Sequence, residues 1–565
     1  MVDLQGPYGL RSGESTTQQA EGDNMPGWNF AELWEQVADR FPQSDAQVQG
    51  KRRISWKEFD ERADGLARYL LDQGAVQQDK IALYLYNAPE YMEGAFGAFK
   101  AGLVPVNTNY RYLDDELAYL WQNADAVAVI FHGCFTERVA AVRERVPQVR
   151  DWLWVDDGSG EIPEWATAYE SVVTVPTERV VPAWGRSGDD ILMIYTGGTT
   201  GMPKGVMWRQ DDLIRAVISV SNPLFNEDPE TIGFTAAIDS LEAPGMPGMP
   251  ACPLMHGTGW FTANLYLTAG GSLVLLEDRH LDIEELLDTI QREKVGALTI
   301  VGDAFAKPIL RVLDAQPDRW DLSSLFLITS SGVMWSEGSK QGLLKHNPNM
   351  FLIDSFSSSE AIGLGQSVSS SGAEEKTAHF SLGNGAQVIS DDGHAVQAGS
   401  GERGRVAVPG HQPLGYYKDP EKSAATFIEF EGVRYSMPGD YATIEADGTI
   451  TLLGRGSVCI NTGGEKVFPE EVEEALKTQA QVHDAVVVGV PDEKFGEAIT
   501  AVVEIAPGAS VESAELIEHV KEHLAAYKAP KTVLFVDSIG RAPNGKVDYK
   551  RHKQYALDQL GIAPE

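Results

Sequence analysis

Cysteine is scarce in these 565 residues: Cys134, Cys252 and Cys459 are scattered, odd in number and without any C-x-x-C spacing. That argues against a disulfide framework or a zinc site built on cysteines, and fits a reducing cytoplasm. Positive charge is also short, with 46 Lys and Arg against 82 Asp and Glu and a formal balance of −36. Such a surface repels polyanions, which argues against nucleic acid or an anionic membrane as partner. It serves solubility, with a salt-rich habitat as the open alternative. No apolar run approaches the ~18 residues of a membrane helix, so no integral membrane segment is expected. The tail from Met1 to about Pro26 is polar, lacks the basic and apolar regions of a signal peptide, and has Val2 where myristoylation requires Gly. Internal repeats and low-complexity tracts are absent too.

The length exceeds one ordinary core, so two or more domains are expected, and a hydrophobic content of 43% is ample to pack them. Ser55-Trp56-Lys57-Glu58 is a capping box, and Phe59, Ala63, Leu66, Ala67 and Leu70 follow at helical spacing. Strands at Ile81 to Tyr86, Leu103 to Val106 and Val127 to Phe131 alternate with helices, the pattern of a parallel layered α/β sheet. Helix then strand recurs from Asp282 to Ile300. The short apolar strands Leu325 to Thr329 and Phe351 to Ile353 each run into a Ser or Gly cluster, and ligands collect at the carboxyl ends of such strands. From about 383 to 450 short strands separated by glycine turns predict a small barrel or antiparallel sheet. A compact unit follows, with helices near Phe468 to Lys477 and Ser513 to Tyr527 and strands near Val486, Thr500 and Val533.

One stretch carries phosphate chemistry. After the apolar run Ile191 to Ile194, Tyr195-Thr196-Gly197-Gly198-Thr199-Thr200-Gly201-Met202-Pro203-Lys204-Gly205 supplies backbone N–H groups, hydroxyls and one positive charge. It is not a Walker loop, because Gly205 stands where Ser or Thr must follow the lysine. Gly399-Ser400-Gly401-Glu402-Arg403-Gly404 fits G-x-G-x-x-G, but a strand-like segment follows it rather than a helix, so it reads as a turn.

The glycine-threonine stretch resembles the signature loop of the adenylate-forming enzymes: acyl-CoA synthetases, adenylation domains and luciferases. The resemblance runs from about Asn29 to Tyr549, with later motifs in the family's order. It implies an α/β fold with a large layered N-terminal domain of parallel sheets, a small β-barrel-like subdomain, and a small mobile α+β C-terminal domain. The divisions expected are a tail over 1–28, a main domain over 29–454 with its β-rich part over 383–450, a hinge at 455–457 and a lid over 458–565. The family has Asp or Lys two residues after the hinge arginine. Here Ser457 stands there, which leaves the pivot open by a residue.

The resemblance also implies site residues. Phe356-Ser357-Ser358-Ser359-Glu360 is similar to the aromatic-Gly-x-Thr-Glu motif, with Ser359 as a phosphate contact and Phe356 as a flat face for adenine. Glu360, with Thr196, would be an oxygen ligand of Mg2+. Asp354, Ser355, Gly332 and Val333 match the adenine surroundings, and Asp440, fifteen residues before Arg455, matches the aspartate that accepts both ribose hydroxyls. His256 matches the mouth of an acyl pocket walled by Trp260 and Phe261, acting by position more than as a base. Gly463 and Gly464 match the pantetheine tunnel loop, and Lys546, in Gly-Lys-Val-Asp, matches the catalytic lysine.

The activity implied is ATP- and Mg2+-dependent formation of an acyl-AMP, then of the coenzyme A thioester, in the cytoplasm. Partners are a small-molecule carboxylate, ATP and CoA, with a homodimer left open. Val301-Gly302-Asp303-Ala304-Phe305 and Gly332 resemble bacterial synthetases of fatty-acid and sterol side-chain catabolism, so a medium-to-long or bulky apolar acid is expected over acetate. A luciferase-like oxygenase, a carrier-protein-loading enzyme and a silent nucleotide-binding protein are the alternatives. Against the second stands the absence of a carrier module after Glu565.

Overall fold

The computed structural model of the chain describes residues 27–562 apart from 197–201, 220–224, 226, 334, 372–378, 463–464, 493–495, 525 and 543–544. Most of the large N-terminal domain is two sheets with helices packed between and around them. In the eight-stranded sheet, Lys80–Tyr84 lies between Val104–Asn107 and Ala126–His132, all parallel. Ile191–Thr196 extends this sheet beside Val104–Asn107, then turns back antiparallel as Lys204–Arg209. The helix predicted from the Ser55 cap is Trp56–Asp72, with the Ser55 side chain accepting the Glu58 N–H at 3.1 Å. Its residues Phe59, Ala63, Leu66, Ala67 and Leu70 are all buried, as their spacing requires.

The second sheet has thirteen strands among the described residues. Its parallel half carries Pro247–Pro250, Ala297–Ile300, Leu327–Ser331 and Phe351–Ser358 side by side. Its antiparallel half begins where Phe351–Ser358 turns into Ala361–Ser369. It continues through His379–Leu382 into Ile450–Arg455, Asp440–Ile444 and Arg403–Ala407. The β-rich stretch is thus antiparallel, and hydrogen-bonds edge to edge with the parallel half. The serine cluster differs from expectation: Phe356, Ser357 and Ser358 lie in a strand, and the chain turns at Ser359-Glu360. The Gly399–Gly404 stretch leads into a strand, as its context predicted.

After Ile450–Arg455 a short 3-10 turn, Gly456–Val458, leads into the smaller C-terminal sheet. Its long hairpin Val482–Asp492 and Gly496–Ile505 is joined in parallel by Thr532–Val536. Strand alternation sends Ala485 and Val487 to one side, against helices Pro469–Lys477 and Ser513–His523. Val486, Val488 and Val490 face the other side, against Tyr549–Leu560.

Candidate active site

The carboxyl ends of Ile191–Thr196, Leu327–Ser331 and Phe351–Ser358 converge on helix Gly257–Thr268 around a cavity of about 260 Å³. Among the residues singled out from sequence, Thr196, His256, Phe261, Gly332, Ser355, Ser359 and Lys546 line it. Three ties fix its frame. Asn107 accepts the Tyr195 N–H at 2.6 Å and donates to the Met255 carbonyl, also at 2.6 Å, joining the Thr196 strand to the segment before His256. Trp208 Nε1 donates to the Ser359 carbonyl at 2.9 Å, pinning the serine turn to the first sheet. Ser436 Oγ donates to the Glu360 carbonyl at 2.6 Å.

Lys546 comes from the small domain. It follows a tight turn in which Gly545 N–H reaches the Ala542 carbonyl at 2.8 Å, and Arg541, paired to Asp484 at 2.6 and 2.8 Å, holds the Gly545 carbonyl. Gly545 has φ +72, and a Cβ there would sit 3.1 Å from Val333 Cγ2 and 3.2 Å from Val301 Cγ1 and Ala304 Cβ. Glycine is therefore required twice over, by conformation and by the approach of the two domains. The lysine chain opens into the cavity, where its surface stays accessible, and desolvation, with Arg455 second, draws its pKa below the ordinary lysine value. Glu360 and Asp440 pull the other way. His256 is half-buried at the start of the cavity helix, and desolvation, then the charges of Lys546 and Arg111, push it down to about 3. The imidazole is neutral at physiological pH.

Asp440 and Arg455 face each other across the hairpin formed by their strands, which is why fifteen residues of sequence separate them. Arg455 Nε meets Asp440 Oδ1 at 3.2 Å, and Asp440 Oδ2 is buried without a hydrogen-bond partner among the described residues. A buried carboxylate oxygen left in that state calls for an N–H or O–H donor beyond the described residues, as a bound hydroxyl would supply. Glu360 is buried beside this pair, and Tyr416 OH donates to its Oε1 at 2.9 Å. Glu360 is a hard oxygen donor, as is the hydroxyl of Thr196, the type that Mg2+ takes.

Five residues sit elsewhere than expected. Phe356 is turned away from the cavity: strand alternation gives Ser355 and Ser357 to the lining, and Phe356 packs against Phe380 with ring centroids 5.7 Å apart. Asp354, on the same side as Phe356, is buried with Lys340 Nζ at 3.5 Å. Lys204 points outward to Asp419, 2.6 Å away. Val333 touches the Gly545 turn rather than lining the cavity. Trp260 likewise turns into the core against Tyr91, leaving Phe261 alone as wall. Gly197, Gly198, Thr199, Thr200, Gly201, Gly463 and Gly464 lie outside the described residues.

Sequence reasoning missed Tyr416 and Gly545. The Asp419-Pro420 pair was a readable signal, since Asp419 caps helix Pro420–Thr426 with Pro at its first turn, and Tyr416 lies just before it. It also missed Val217, Met255 and Leu265, which with Phe261 and Ile362 make one side of the cavity apolar.

Residues 34–417 match the AMP-binding enzyme family and 471–546 its C-terminal domain. A medium/long-chain-fatty-acid–CoA and 3-oxocholest-4-en-26-oate–CoA ligase of Mycolicibacterium smegmatis is 41% identical over 92% of this chain and 95% of its own. A 3-oxocholest-4-en-26-oate–CoA ligase of Rhodococcus rhodochrous is 39% identical over 95% and 96%. Among solved structures, an anthranilate CoA ligase in complex with anthranoyl-AMP superposes with a TM-score of 0.80 at 21% identity, covering 95% of this chain and 98% of that one. The fold, the paired family matches and the extent of these relatives agree: the chain belongs to the AMP-binding enzyme family.

Proposed function

We propose that the chain is an AMP-forming acyl-CoA ligase that activates a medium-to-long or bulky apolar carboxylate. The observation that carries this is the placement of Lys546, from the small domain, in one cavity with Thr196, His256, Gly332 and the Ser355–Ser359 strand end. In the first half-reaction a carboxylate oxygen attacks the α-phosphorus of ATP, the bond to the β-phosphate oxygen breaks, and pyrophosphate leaves. Lys546 stabilises the charge that grows on the phosphoryl oxygens, a preorganised electrostatic effect. Asp440 Oδ2 accepts from the ribose hydroxyls, which satisfies its orphaned state. Glu360 and Thr196 would hold Mg2+, which would supply charge neutralisation on the phosphates. In the second half-reaction the CoA thiolate adds to the acyl carbonyl and AMP departs. His256 stays neutral and bounds the acyl entrance by shape.

The apolar side of the cavity, Val217, Met255, Phe261, Leu265 and Ile362, supports an apolar acid, as do the substrates named for the mycobacterial and Rhodococcus relatives. We place the division of labour at residues 29–454 and 458–565 with the pivot at 455–457, and the enzyme in the cytoplasm, where ATP and CoA are supplied. The test is a panel of carboxylates from acetate to long-chain and steroid acids. Pyrophosphate release should require the acid and AMP release should require CoA, with the longer or bulkier acids preferred. A panel led by acetate or propionate would refute the substrate class, and pyrophosphate release without any acid would refute the reaction.

A further inference from the structure

We infer that His519, Glu522 and His523, at the carboxyl end of helix Ser513–His523, form a binding site for one divalent ion of the borderline transition-metal class, such as Zn2+, Ni2+ or Cu2+. The site belongs to the lid and is independent of the catalytic reading. The spacing i, i+4 stacks the two imidazoles on one stripe of the helix, with ring centroids 4.3 Å apart. Glu522 adds a carboxylate, and one ligating atom from each of the three lies within 4.8 Å of the others. His519 is half-buried and the other two are exposed, so an ion can reach them with part of its shell still water. Leu516 and Val520 are buried in the lid core and hold the helix in place.

The hydrogen bonds set both rings for metal rather than merely tolerating it. Thr478 has one hydroxyl proton, and it goes to the Ala475 carbonyl at 2.7 Å. Its oxygen, 2.7 Å from His519 Nε2, can then only accept, so Nε2 carries the proton and Nδ1 keeps its lone pair. His523 Nδ1 lies 2.8 Å from the His519 carbonyl, which can only accept, so that ring is protonated at Nδ1 and Nε2 keeps its lone pair. Each imidazole thereby has a chain acceptor for the N–H of one nitrogen and leaves the other nitrogen to ligate, the usual outer shell of a metal-bound histidine. The nearby ammonium of Lys521 is turned to Glu518 at 2.6 Å. The negative end of the helix dipole also favours a cation in this last turn. Two nitrogens and one carboxylate suit Zn2+, Ni2+ or Cu2+, and suit Mg2+ and Ca2+ poorly, since these prefer all-oxygen shells. Three protein ligands with water completing the shell make an open site.

The experiment is calorimetric titration of Zn2+ alone, and separately Ni2+ alone, into the full-length chain carrying no affinity tag. It is repeated for His519→Ala, His523→Ala, Glu522→Gln and Thr478→Val, with circular dichroism as the check on folding. The wild-type chain should bind one ion that excess Mg2+ does not displace. Either His→Ala change should weaken that binding about tenfold or more, and Thr478→Val, which removes only the partner that orients His519, should weaken it by less. A wild-type chain that takes up neither ion, folded His→Ala variants that titrate like wild type, or binding that Mg2+ abolishes would each overturn the proposal.

Discussion

Asp440 divides its carboxylate between two tasks: Oδ1 meets Arg455 and Oδ2 is buried with no partner among the described residues. Removing that acceptor should cost a charged hydrogen bond, about 1.5–3 kcal/mol, which is roughly ten- to a hundredfold in kcat/KM for ATP. Asp440→Asn, followed by initial rates across ATP concentrations with the melting temperature as control, checks this. An unchanged kcat/KM would remove Asp440 from the nucleotide site. His256 gives a prediction in pH. Desolvation and the neighbouring charges of Lys546 and Arg111 depress its pKa to about 3, so it is already neutral over pH 5 to 8. The acid limb of the pH–rate profile in that range should therefore be identical in wild type and His256→Gln, whatever the change in KM for the acid. A limb that vanished with His256 would contradict the desolvated environment described above.

Helix Gly257–Thr268 decides what the cavity can hold. Thr258, Phe261, Thr262 and Leu265 repeat at three and four residues and face the cavity. Asn264, Leu265 and Thr268 face a second, much smaller cavity of about 10 Å³, bounded also by Phe30, Ile214, Val217 and Ile218. Val217 and Leu265 belong to both linings, so they partition the two spaces. Leu265→Ala should join them and move the preferred acid to longer chains, at about 2–5 kcal/mol of stability for a buried leucine. A chain-length panel run beside thermal melts reads both effects, and a lower melting temperature with an unmoved preference would show that the partition does not limit the acyl chain. The same helix shows where sequence reasoning stops. Trp260 and Phe261 were both read as acyl wall, but neighbours on a helix point about 100° apart, and only Phe261 faces the cavity. Phe356 failed for the matching reason in a strand: the strand was read as ending at Ile353, whereas it runs on to Ser358 and a period of two hands the cavity to Ser355 and Ser357. Strong periodicity made the core helices and parallel strands legible, as in Trp56–Asp72 and Ala297–Ile300. The pairing of Asp440 with Arg455 was legible only through the family's spacing. The Asp419-Pro420 cap could have placed Tyr416 just before a helix, but its pairing with Glu360, distant in sequence, needed the third dimension.

Across the whole molecule the account depends on how the small domain seats against the large one. Gly545→Ala should strain a backbone at φ +72 by about 1–2 kcal/mol and push against Val333, Val301 and Ala304. The first half-reaction should slow about tenfold while the melt of the large domain stays put, and single-turnover pyrophosphate release measures it. Glu470 sets a pH dependence at the same junction. Its Oε2 is buried without a partner among the described residues, its Oε1 faces the Arg455 N–H at 3.5 Å, and desolvation, then the nearby Glu473, raises its pKa above the ordinary 4.5. An acid with a raised folded pKa holds its proton longer in the folded state, so stability falls as pH climbs from 4.5 into the neutral range. Glu470→Gln should flatten that fall, as denaturant melts at stepped pH would show. The most direct test of the whole account is Lys546→Ala, assayed in two separate half-reactions. Acid-dependent pyrophosphate release should drop by about a hundredfold or more, because the lost ammonium stabilised the phosphoryl charge, while thioester formation from supplied acyl adenylate and CoA stays near wild type. Equal losses in both half-reactions from a folded protein, or no loss in the first, would contradict it.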